Sequence, residues 1–431
     1  MNCIIATRRK SFFLFSPLFM FFFLSFISID AYSQSYMSFK YEREQIINTT
    51  RFQIGALRFF PTIQLRNIGR EYNVYYVQEK ENPLSDYTAT LSFQLKTYFL
   101  FHDYLILSLT ANPEYVYYFE VEKERRWNKT IFPEFKLLLF DRFVVSGNYL
   151  HSNRRYRVWG EFDVKANEKV ESYASSIFYE TARMTSLGFS GSIIKIHYDD
   201  ITKQQEEIML SRELNREEKS LSFEFYYRIL SESFFFLNVG YNEYNFDYRE
   251  SKWRNSHSYQ VYSGIRFPFQ GKLRGTLSLG YKKMIPEVGT KQGFSGPVGN
   301  TSIDLRLGRF NLRSRFNRDC RFSYWTNNIY FLENRLGSGI SFYFTQSLRL
   351  DYDYTYGKAS YPEIIIIQTP EDNYKEIKRR DVYQTQRAGF ALRVIRNIGI
   401  GVSLEYWRWN SNLYSEKRNW MFIGGYLTYE F

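Results

Sequence analysis

The sequence predicts an all-β fold, a transmembrane antiparallel up-and-down β-barrel of about 16 strands, within a range of about 14–18. Two observations on composition support this prediction. Aromatic residues make up 20% of the chain, yet its mean hydropathy is slightly polar at −0.43. A soluble protein so rich in aromatic residues would need a wide apolar core and a more apolar average. A membrane barrel does not, because half of each strand faces a polar lumen and aromatic residues form girdles at both membrane interfaces.

The third observation is the alternation of apolar and polar residues along most of the chain. Residues 87–95 place Tyr, Ala, Leu, Phe and Leu on one parity and Thr, Thr, Ser and Gln on the other, and residues 105–112 repeat the pattern. Successive side chains of a strand point to opposite faces, so each segment has one apolar and one polar face. The short link at 101–103 predicts a hairpin and therefore antiparallel strands.

The N-terminus predicts export. Basic residues at 8–10 precede an apolar run at 11–29, and Ala31 and Ser33 provide small residues before a cut at Gln34. This arrangement is typical of a secretory signal peptide, which would cover residues 1–33. The alternative is a retained transmembrane helix, because the run is nearly long enough to cross a hydrocarbon core of about 30 Å.

The rest of the chain is predicted to be a periplasmic lead-in at 34–51 and an outer-membrane barrel at 52–431. No apolar run of 18 or more residues follows the signal, so an integral protein would have to cross the membrane with strands. Only Cys320 remains after cleavage, so no internal disulfide is expected. The expected location is the outer membrane of a Gram-negative cell.

Local breaks in the alternation predict turns and loops. The apolar parity changes at Gly308-Arg309, which predicts a tight turn between two strands. Pro61 lacks a backbone N–H, so it predicts a strand end or a bulge. Two stretches, 199–220 and 361–381, do not alternate and are predicted to be long outer loops with strand extensions. The first could contain a short helix; Ile364–Ile367 in the second would pack on a strand extension or act as a lid.

The chain ends in an aromatic strand. Phe431, Tyr429 and Leu427 share its apolar face, and nothing follows them. The segment resembles the closing strand of bacterial outer-membrane barrels, which also serves as the signal read by the barrel-assembly machinery. The alternative is that a soluble protein ends in such a strand by chance.

Residues with catalytic or metal-binding chemistry do not form a recognisable site. The four histidines lie far apart, and none stands at metal-ligand spacing, so no catalytic, metal or cofactor site is predicted. Barrel enzymes that act on lipids use a His and a Ser two residues apart on one strand. Here His151 and Ser152 are adjacent and would point to opposite faces. We therefore predict no enzyme, with a lipid hydrolase as the least favoured alternative.

The distribution of charged residues predicts a basic lumen. The formal net charge is +12, and basic residues on the polar parity of the predicted strands outnumber acidic ones. The candidate lumen charges are Lys96, Lys272, Arg274, Arg306, Arg313, Arg315 and Arg349. A basic lumen would favour anions such as acidic saccharides. The alternative is that these residues form ion pairs across a narrow lumen, while exposed basic residues bind outer-membrane lipid and lipopolysaccharide. The predicted location argues against nucleic acid.

The segment Gly55–Leu65 (GALRFFPTIQL), together with Glu71–Val74 and Asp86, resembles the start of the second putative beta-barrel porin family. The resemblance implies a porin-like outer-membrane barrel associated with exopolysaccharide production and export. The function predicted from the sequence is therefore a passive channel for small or saccharide solutes. A non-conducting docking barrel in an envelope assembly is the main alternative. The sequence predicts neither the oligomeric state nor the solute.

Overall fold

The computed structural model describes residues 38–50, 52–77, 82–157, 165–181, 185–203, 206–230, 233–267, 271–324, 328–368, 374–413 and 417–430. The predicted signal peptide with Ala31, Ser33 and Gln34, and the terminal Phe431, lie outside these residues. Within them, no helix combines the length and the apolarity that crossing a membrane would require.

The described elements are mostly strands. Their bounds are β1 (Phe52–Ile54), β2 (Leu57–Tyr72), β3 (Asp86–Phe101), β4 (Leu105–Tyr118), β5 (Arg126–Leu139), β6 (Phe143–Arg157), β7 (Lys165–Glu180), β8 (Ser186–Tyr198), β9 (Ile201–Lys203), β10 (Glu206–Ile208), β11 (Arg216–Leu230), β12 (Ser233–Phe246), β13 (Ser256–Phe267), β14 (Leu273–Pro286), β15 (Phe294–Leu307), β16 (Phe310–Phe322), β17 (Tyr330–Tyr343), β18 (Leu348–Gln368), β19 (Tyr374–Ile395), β20 (Ile398–Ser411) and β21 (Lys417–Glu430). The α-helices are α1 (Phe39–Thr49) and α2 (Leu210–Leu214), and 3-10 helices cover Glu122–Glu124 and Arg249–Arg254.

Eighteen strands, β2–β8 and β11–β21, form one closed antiparallel barrel. Each strand pairs with its neighbours in the chain, and β8 pairs directly with β11 because β9 and β10 form a separate hairpin in the connecting loop. The first and last strands close the ring, with Thr62 opposite Glu430 and Tyr72 opposite Met421. The predicted fold class is confirmed, with two strands more than the central estimate and within the predicted range.

The alternation seen in the sequence separates the two faces of the wall. In β3, Tyr87 and Leu91 are exposed, whereas Thr88 and Thr90 are buried. The apolar parity therefore faces outward, where lipid would lie, and the polar parity faces the interior. In β21, Leu427 and Tyr429 face outward in the same way. Their role as an assembly signal stays a prediction.

Short turns join the strands at one end of the barrel, and longer loops join them at the other. The turn predicted at 101–103 is confirmed, since β3 ends at Phe101 and β4 begins at Leu105. The turn predicted at Gly308-Arg309 is also confirmed, and Gly308 adopts the left-handed φ of 56° that glycine permits. In outer-membrane barrels the short turns face the periplasm, which orients this chain. We call that end the inner mouth and the other the outer mouth.

Two predicted details of the wall are wrong. Pro61 lies inside β2 opposite Leu95, and the irregularity in register lies between Leu65 and Ile68 instead.

The predicted loop at 361–381 is mostly strand. Residues Ile364–Ile367 pair with β19, so they are neither a packed loop segment nor a lid. In the loop predicted at 199–220, the alternative of a short helix is confirmed as α2, and β11 already begins at Arg216. The alternation fails in 199–220 because most of that stretch is the connecting loop with β9, β10 and α2. It fails in 361–381 because β18 and β19 extend beyond the length of the other strands, where an apolar outward face is not required.

Candidate functional site in the barrel interior

Ion pairs cross the inward face of β16, β17 and β18. The guanidinium of Arg313 on β16 donates from Nε and Nη2 to Oδ1 of Asp353 on β18, at 3.1 and 2.9 Å. It passes over Gly339 of β17, where a Cβ would overlap the Asp353 carboxylate. Arg349 Nε donates to Oδ2 of Asp351 at 2.7 Å. This cluster is held by residues on three strands, and its geometry depends on a glycine in the middle one.

Of the predicted lumen charges, some lie on the inward face of the barrel wall and the others lie near the inner mouth. Arg313 and Arg349 lie in the cluster just described, and Arg315 is a partly buried neighbour of Arg313 on the same inward face. The ammonium of Lys96 lies 4.9 Å from the centroid of the Tyr98 ring. Lys272, Arg274 and Arg306 lie beside the turn between β13 and β14 or at the end of β15, near the inner mouth.

Two further polar networks join strands that are not neighbours. Lys282 Nζ on β14 donates to Oδ1 of Asp319 on β16 at 2.9 Å. The fully buried Glu333 on β17 is ion-paired with Arg321, whose Nε lies 2.8 Å from Oε2, and its Oε1 accepts a hydrogen bond from the hydroxyl of Tyr383 on β19. Paired charges of this kind are what the ion-pair alternative expects.

Tyr383 provides a test of how much the inward network stabilises the barrel. Its ring passes over Gly357 of β18, where a Cβ would overlap it. Replacing Tyr383 by Phe is expected to lower the free energy of unfolding by about 1–3 kcal/mol, because buried Glu333 loses a donor. Urea unfolding of the refolded barrel in vesicles measures the change. The control is Tyr406→Phe, on the outward face of β20, and an equal loss in both variants would contradict the prediction.

Near the outer mouth, side-chain contacts join strands that are further apart around the barrel. Lys165 Nζ at the start of β7 lies 3.0 Å from Glu71 Oε1 at the end of β2, and it donates to the Tyr118 hydroxyl of β4 at 2.7 Å. The Trp420 indole N–H of β21 donates to the same Glu71 oxygen at 2.8 Å. Four strands lie between β2 and β7, so this cluster narrows one side of the outer mouth.

Outer loops also meet across the barrel. Arg254, fully buried in the β12–β13 loop, donates from Nη2 to Oε2 of Glu213 in α2 at 2.8 Å and to the backbone oxygen of Tyr324 at 2.9 Å. It also donates to the backbone oxygen of Ser323. One guanidinium thus connects three loops on the β8–β17 side of the outer mouth.

At the inner mouth, helix α1 lies against the inside of the wall. Glu42 accepts from Nζ of Lys136, an inward side chain of β5, at 2.8 and 2.9 Å. Arg43 lies 2.8 Å from Asp103 in the β3–β4 turn, and the backbone N–H of Phe39 donates to Glu180 of β7 at 3.3 Å. Phe39 and Ile46 are buried. The helix therefore covers the β3–β7 part of this mouth.

The sequence predicts no secondary structure for the segment that contains α1. The helix carries only two buried residues, Phe39 and Ile46, while its other isoleucine, Ile47, is exposed. Its partners lie between about 60 and 140 residues away in the chain. An amphipathic stripe is the signal by which a helix is recognised in sequence, and two residues do not make one.

His151 and Ser152 do not form a nucleophile–base pair. His151 Nδ1 lies 3.6 Å from Glu171 on the outward face of β6 and β7, whereas Ser152 points inward and lies 3.4 Å from the Thr130 hydroxyl. The two side chains are on opposite faces, as predicted. Among the described residues, no three His, Cys, Asp or Glu side chains come together as metal ligands would.

Comparisons with solved structures find outer-membrane proteins at low identity. OpdL from Pseudomonas aeruginosa is 9% identical with a TM-score of 0.44, covering 88% of this chain and 99% of that one. The outer membrane protein OpdK from the same organism is 8% identical with a TM-score of 0.46, covering 86% and 98%. The siderophore receptor PirA of P. aeruginosa is 10% identical with a TM-score of 0.45, covering 88% and 81%. No curated protein matches this chain.

The family comparison covers the C-terminal part of the barrel. The family described as "Putative beta-barrel porin 2" matches residues 176–424. This range begins after Gly55–Leu65, Glu71–Val74 and Asp86, which carry the resemblance in the sequence, so the later strands support the same family independently. The match spans more than half of the chain, and the protein therefore belongs to this family of porin-like outer-membrane β-barrels.

Proposed function

We propose that this protein is a passive channel for small or saccharide solutes, with anions favoured. The observation that carries the proposal is the closed 18-stranded wall with a polar inward face. Barrels of 16–18 strands have room for an aqueous channel, whereas eight-stranded barrels are filled by side chains. A channel also agrees with membership of a porin family. A link to exopolysaccharide export rests on the family resemblance alone.

Inward basic residues support the preference for anions. Arg313 and Arg349 are paired with carboxylates, so they contribute little net charge to the lumen. Lys96 on β3 contacts an aromatic ring, and Arg315 on β16 lies beside Arg313, so these two basic side chains add positive charge to the inward face of the wall. Rings of basic side chains favour anions in pores.

Lipopolysaccharide is the proposed partner of the outward face near the outer mouth. Lys169, Lys195 and Lys219 lie on neighbouring strands there, each about half exposed. Each lies close to a carboxylate, Glu171 or Glu217, which is an arrangement suited to a surface of mixed phosphates and cations.

A docking barrel with a blocked lumen is the second candidate, and specific contacts favour it. Helix α1 occupies part of the inner mouth, the Lys165–Glu71 pair narrows one side of the outer mouth, and Arg254 connects loops over the other side. Such a barrel would present its loops or α1 to an envelope assembly and conduct nothing.

Single-channel recording separates the two candidates. Residues 34–431 refolded into planar bilayers are expected to give discrete conductance steps whose reversal potential in a salt gradient indicates anions. Replacing inward Arg315 by Gln is expected to shift the reversal potential toward cations, because one lumen charge is removed. The matched control is Arg408→Gln on the outward face of β20, which should leave selectivity unchanged. A heat-modifiable barrel that never conducts would favour the docking function.

A further inference from the structure

Basic side chains gather on one part of the inner mouth, at three of the turns that join the strands. They are Lys272 and Arg274 at the β13–β14 turn, Arg306 and Arg309 at the β15–β16 turn, and Arg393 and Arg396 at the β19–β20 turn. We call these residues the basic crescent. The carboxylates on the inward face of the same strand ends are Asp304 and Asp351, and Asp351 is already paired with Arg349. The crescent therefore carries a net positive charge.

The opposite part of the inner mouth carries both signs of charge. Its turns contain Asp103, Asp141 and Arg142, and helix α1 adds basic groups that pair with the two carboxylates. Arg43 Nη2 lies 2.8 Å from Oδ1 of Asp103, and Lys40 Nζ lies 3.6 Å from Oδ1 of Asp141. The helix covers this β3–β7 part, so the crescent lines a part of the mouth that the helix leaves uncovered.

Three members of the crescent carry charges that are available to a ligand. Lys272, Arg309 and Arg396 are exposed and lie in the turns themselves. Within the described part of the chain, their side chains take part in no ion pair and no hydrogen bond. An exposed ammonium or guanidinium group in such a position can turn toward an anion without breaking a contact of the barrel.

The strand residues of the crescent face the lumen rather than the lipid. Arg274, Arg306 and Arg393 lie on the inward parity of β14, β15 and β19. The outward parity at the same strand ends is apolar, with exposed Leu307 and Val394. An anionic lipid headgroup would meet that outward face, whereas a solute that enters the lumen passes the inward one. The crescent is therefore placed for a solute.

The spacing of the basic turns suits an anion with several charges. Neighbouring strands lie about 4.8 Å apart, so successive hairpins of the wall are about 10 Å apart. The β13–β14 and β15–β16 turns belong to successive hairpins, and the β19–β20 turn is two hairpins further along the wall. A chloride ion can contact the basic group of only one turn, whereas a chain of phosphate or carboxylate groups can contact two.

We propose that the basic crescent captures polyvalent anions from the periplasm at the inner mouth. Openings lined by one sign of charge raise the local concentration of the opposite ion and its association rate by about 10–10³-fold. The capture of anions rests on the proposed channel for its purpose, because it gives anionic solutes a periplasmic entrance. Binding itself does not require conduction.

The test is binding of tripolyphosphate to the refolded barrel, residues 34–431, in a neutral detergent, measured by titration calorimetry. We expect saturable binding at about 0.1 M KCl and its loss at about 1 M, because the Debye length falls from about 10 Å to about 3 Å. The crescent variant combines Lys272→Gln, Arg309→Gln and Arg396→Gln. It is expected to bind about tenfold more weakly, because it loses three exposed charges that each contribute modestly.

The matched control removes the same charge from the outer mouth, through Lys123→Gln, Arg249→Gln and Lys252→Gln at three exposed positions. It should bind tripolyphosphate as the parent chain does. All the substituted residues are exposed and lie in turns or loops, so both variants should fold, which heat-modifiable migration checks. Equal binding by the crescent variant and the parent chain would overturn the proposal, and so would an equal loss in both variants or the absence of saturable binding.

Single-channel recording separates capture by the crescent from the channel itself. Tripolyphosphate added on one side of a planar bilayer should reduce the current, and on the other side it should not; the crescent variant should lose this difference. Conduction without any difference between the sides would leave the channel standing and reject the crescent. Salt-dependent binding by a barrel that does not conduct would support the crescent and reject the channel. Loss of the effect when phosphatidylglycerol is added to the bilayer would assign the crescent to lipid headgroups and overturn the proposal.

Discussion

Replacing Gly69 by alanine is expected to abolish most barrel assembly. Gly69 of β2 faces Gly424 of β21 at the seam between the first and last strands, and a Cβ there would overlap the carbonyl oxygen of Ile423 and the Cα of Gly424. Both atoms belong to the backbone, so no side-chain rotation relieves the overlap. Overpacking a core with side-chain atoms costs about 1–3 kcal/mol, and a backbone clash at the seam should cost more.

The assay for this variant is heat-modifiable migration of the protein in outer-membrane fractions, with far-ultraviolet circular dichroism of the refolded chain. Gly389→Ala in β19 is the matched control, because a Cβ there would make ordinary contacts at 3.5 Å with Val402 and 3.9 Å with Ser403. The control should assemble normally. Normal assembly of Gly69→Ala as well would mean that the two strands do not approach as closely as described.

Deleting residues 39–49 is expected to increase single-channel conductance strongly. Helix α1 covers part of the inner mouth through the buried contacts of Phe39 and Ile46 and the pair between Glu42 and Lys136. Without the helix, the lumen beside β3–β7 opens to the periplasm. Recordings in planar bilayers compare the deletion with the parent chain under the same salt. Equal conductance would show that the solute path does not pass the helix.

A point variant tests the same helix without removing it. Glu42→Gln weakens the charge-assisted bonds to Lys136, which are worth about 1.5–3 kcal/mol. A loss of about 2 kcal/mol would raise the undocked fraction of the helix about 30-fold. We expect more frequent open steps, or faster proteolysis of the segment at the inner mouth. Glu44→Gln is the control, because Glu44 lies on the exposed side of the same helix.

The wall of the barrel was predictable because its signals are local. Each strand shows its orientation in its own alternation, as in β3, where the apolar parity faces outward and the polar parity inward. The Gly308 turn is visible as a change of parity within two residues. The estimate of about 16 strands was two short, because most strands and their connections are shorter than the average length on which the estimate rested.

For the interior, the sequence predicted which residues point inward but not which of them contact each other. The sequence named Arg313 and Arg349 as lumen residues, but not that Asp353 would meet Arg313 across Gly339. That pairing depends on the register of three strands. Helix α1 was missed because its contacts are with distant turns, and the stacking of the Tyr76 and Trp420 rings was missed because the two residues are joined only by barrel closure.

By itself, then, the sequence determined the fold class, the two faces of the wall and most short turns, because lipid outside and polar groups inside impose a period of two on each strand separately. Tertiary structure alone decided which side chains meet inside the barrel. These contacts are the ion-pair cluster on β16–β18, the contacts of helix α1 at the inner mouth, and the stacked rings of Tyr76 and Trp420 at the outer mouth. These contacts depend on strand register and on closure between β2 and β21, which join residues hundreds of positions apart and leave no pattern in either segment.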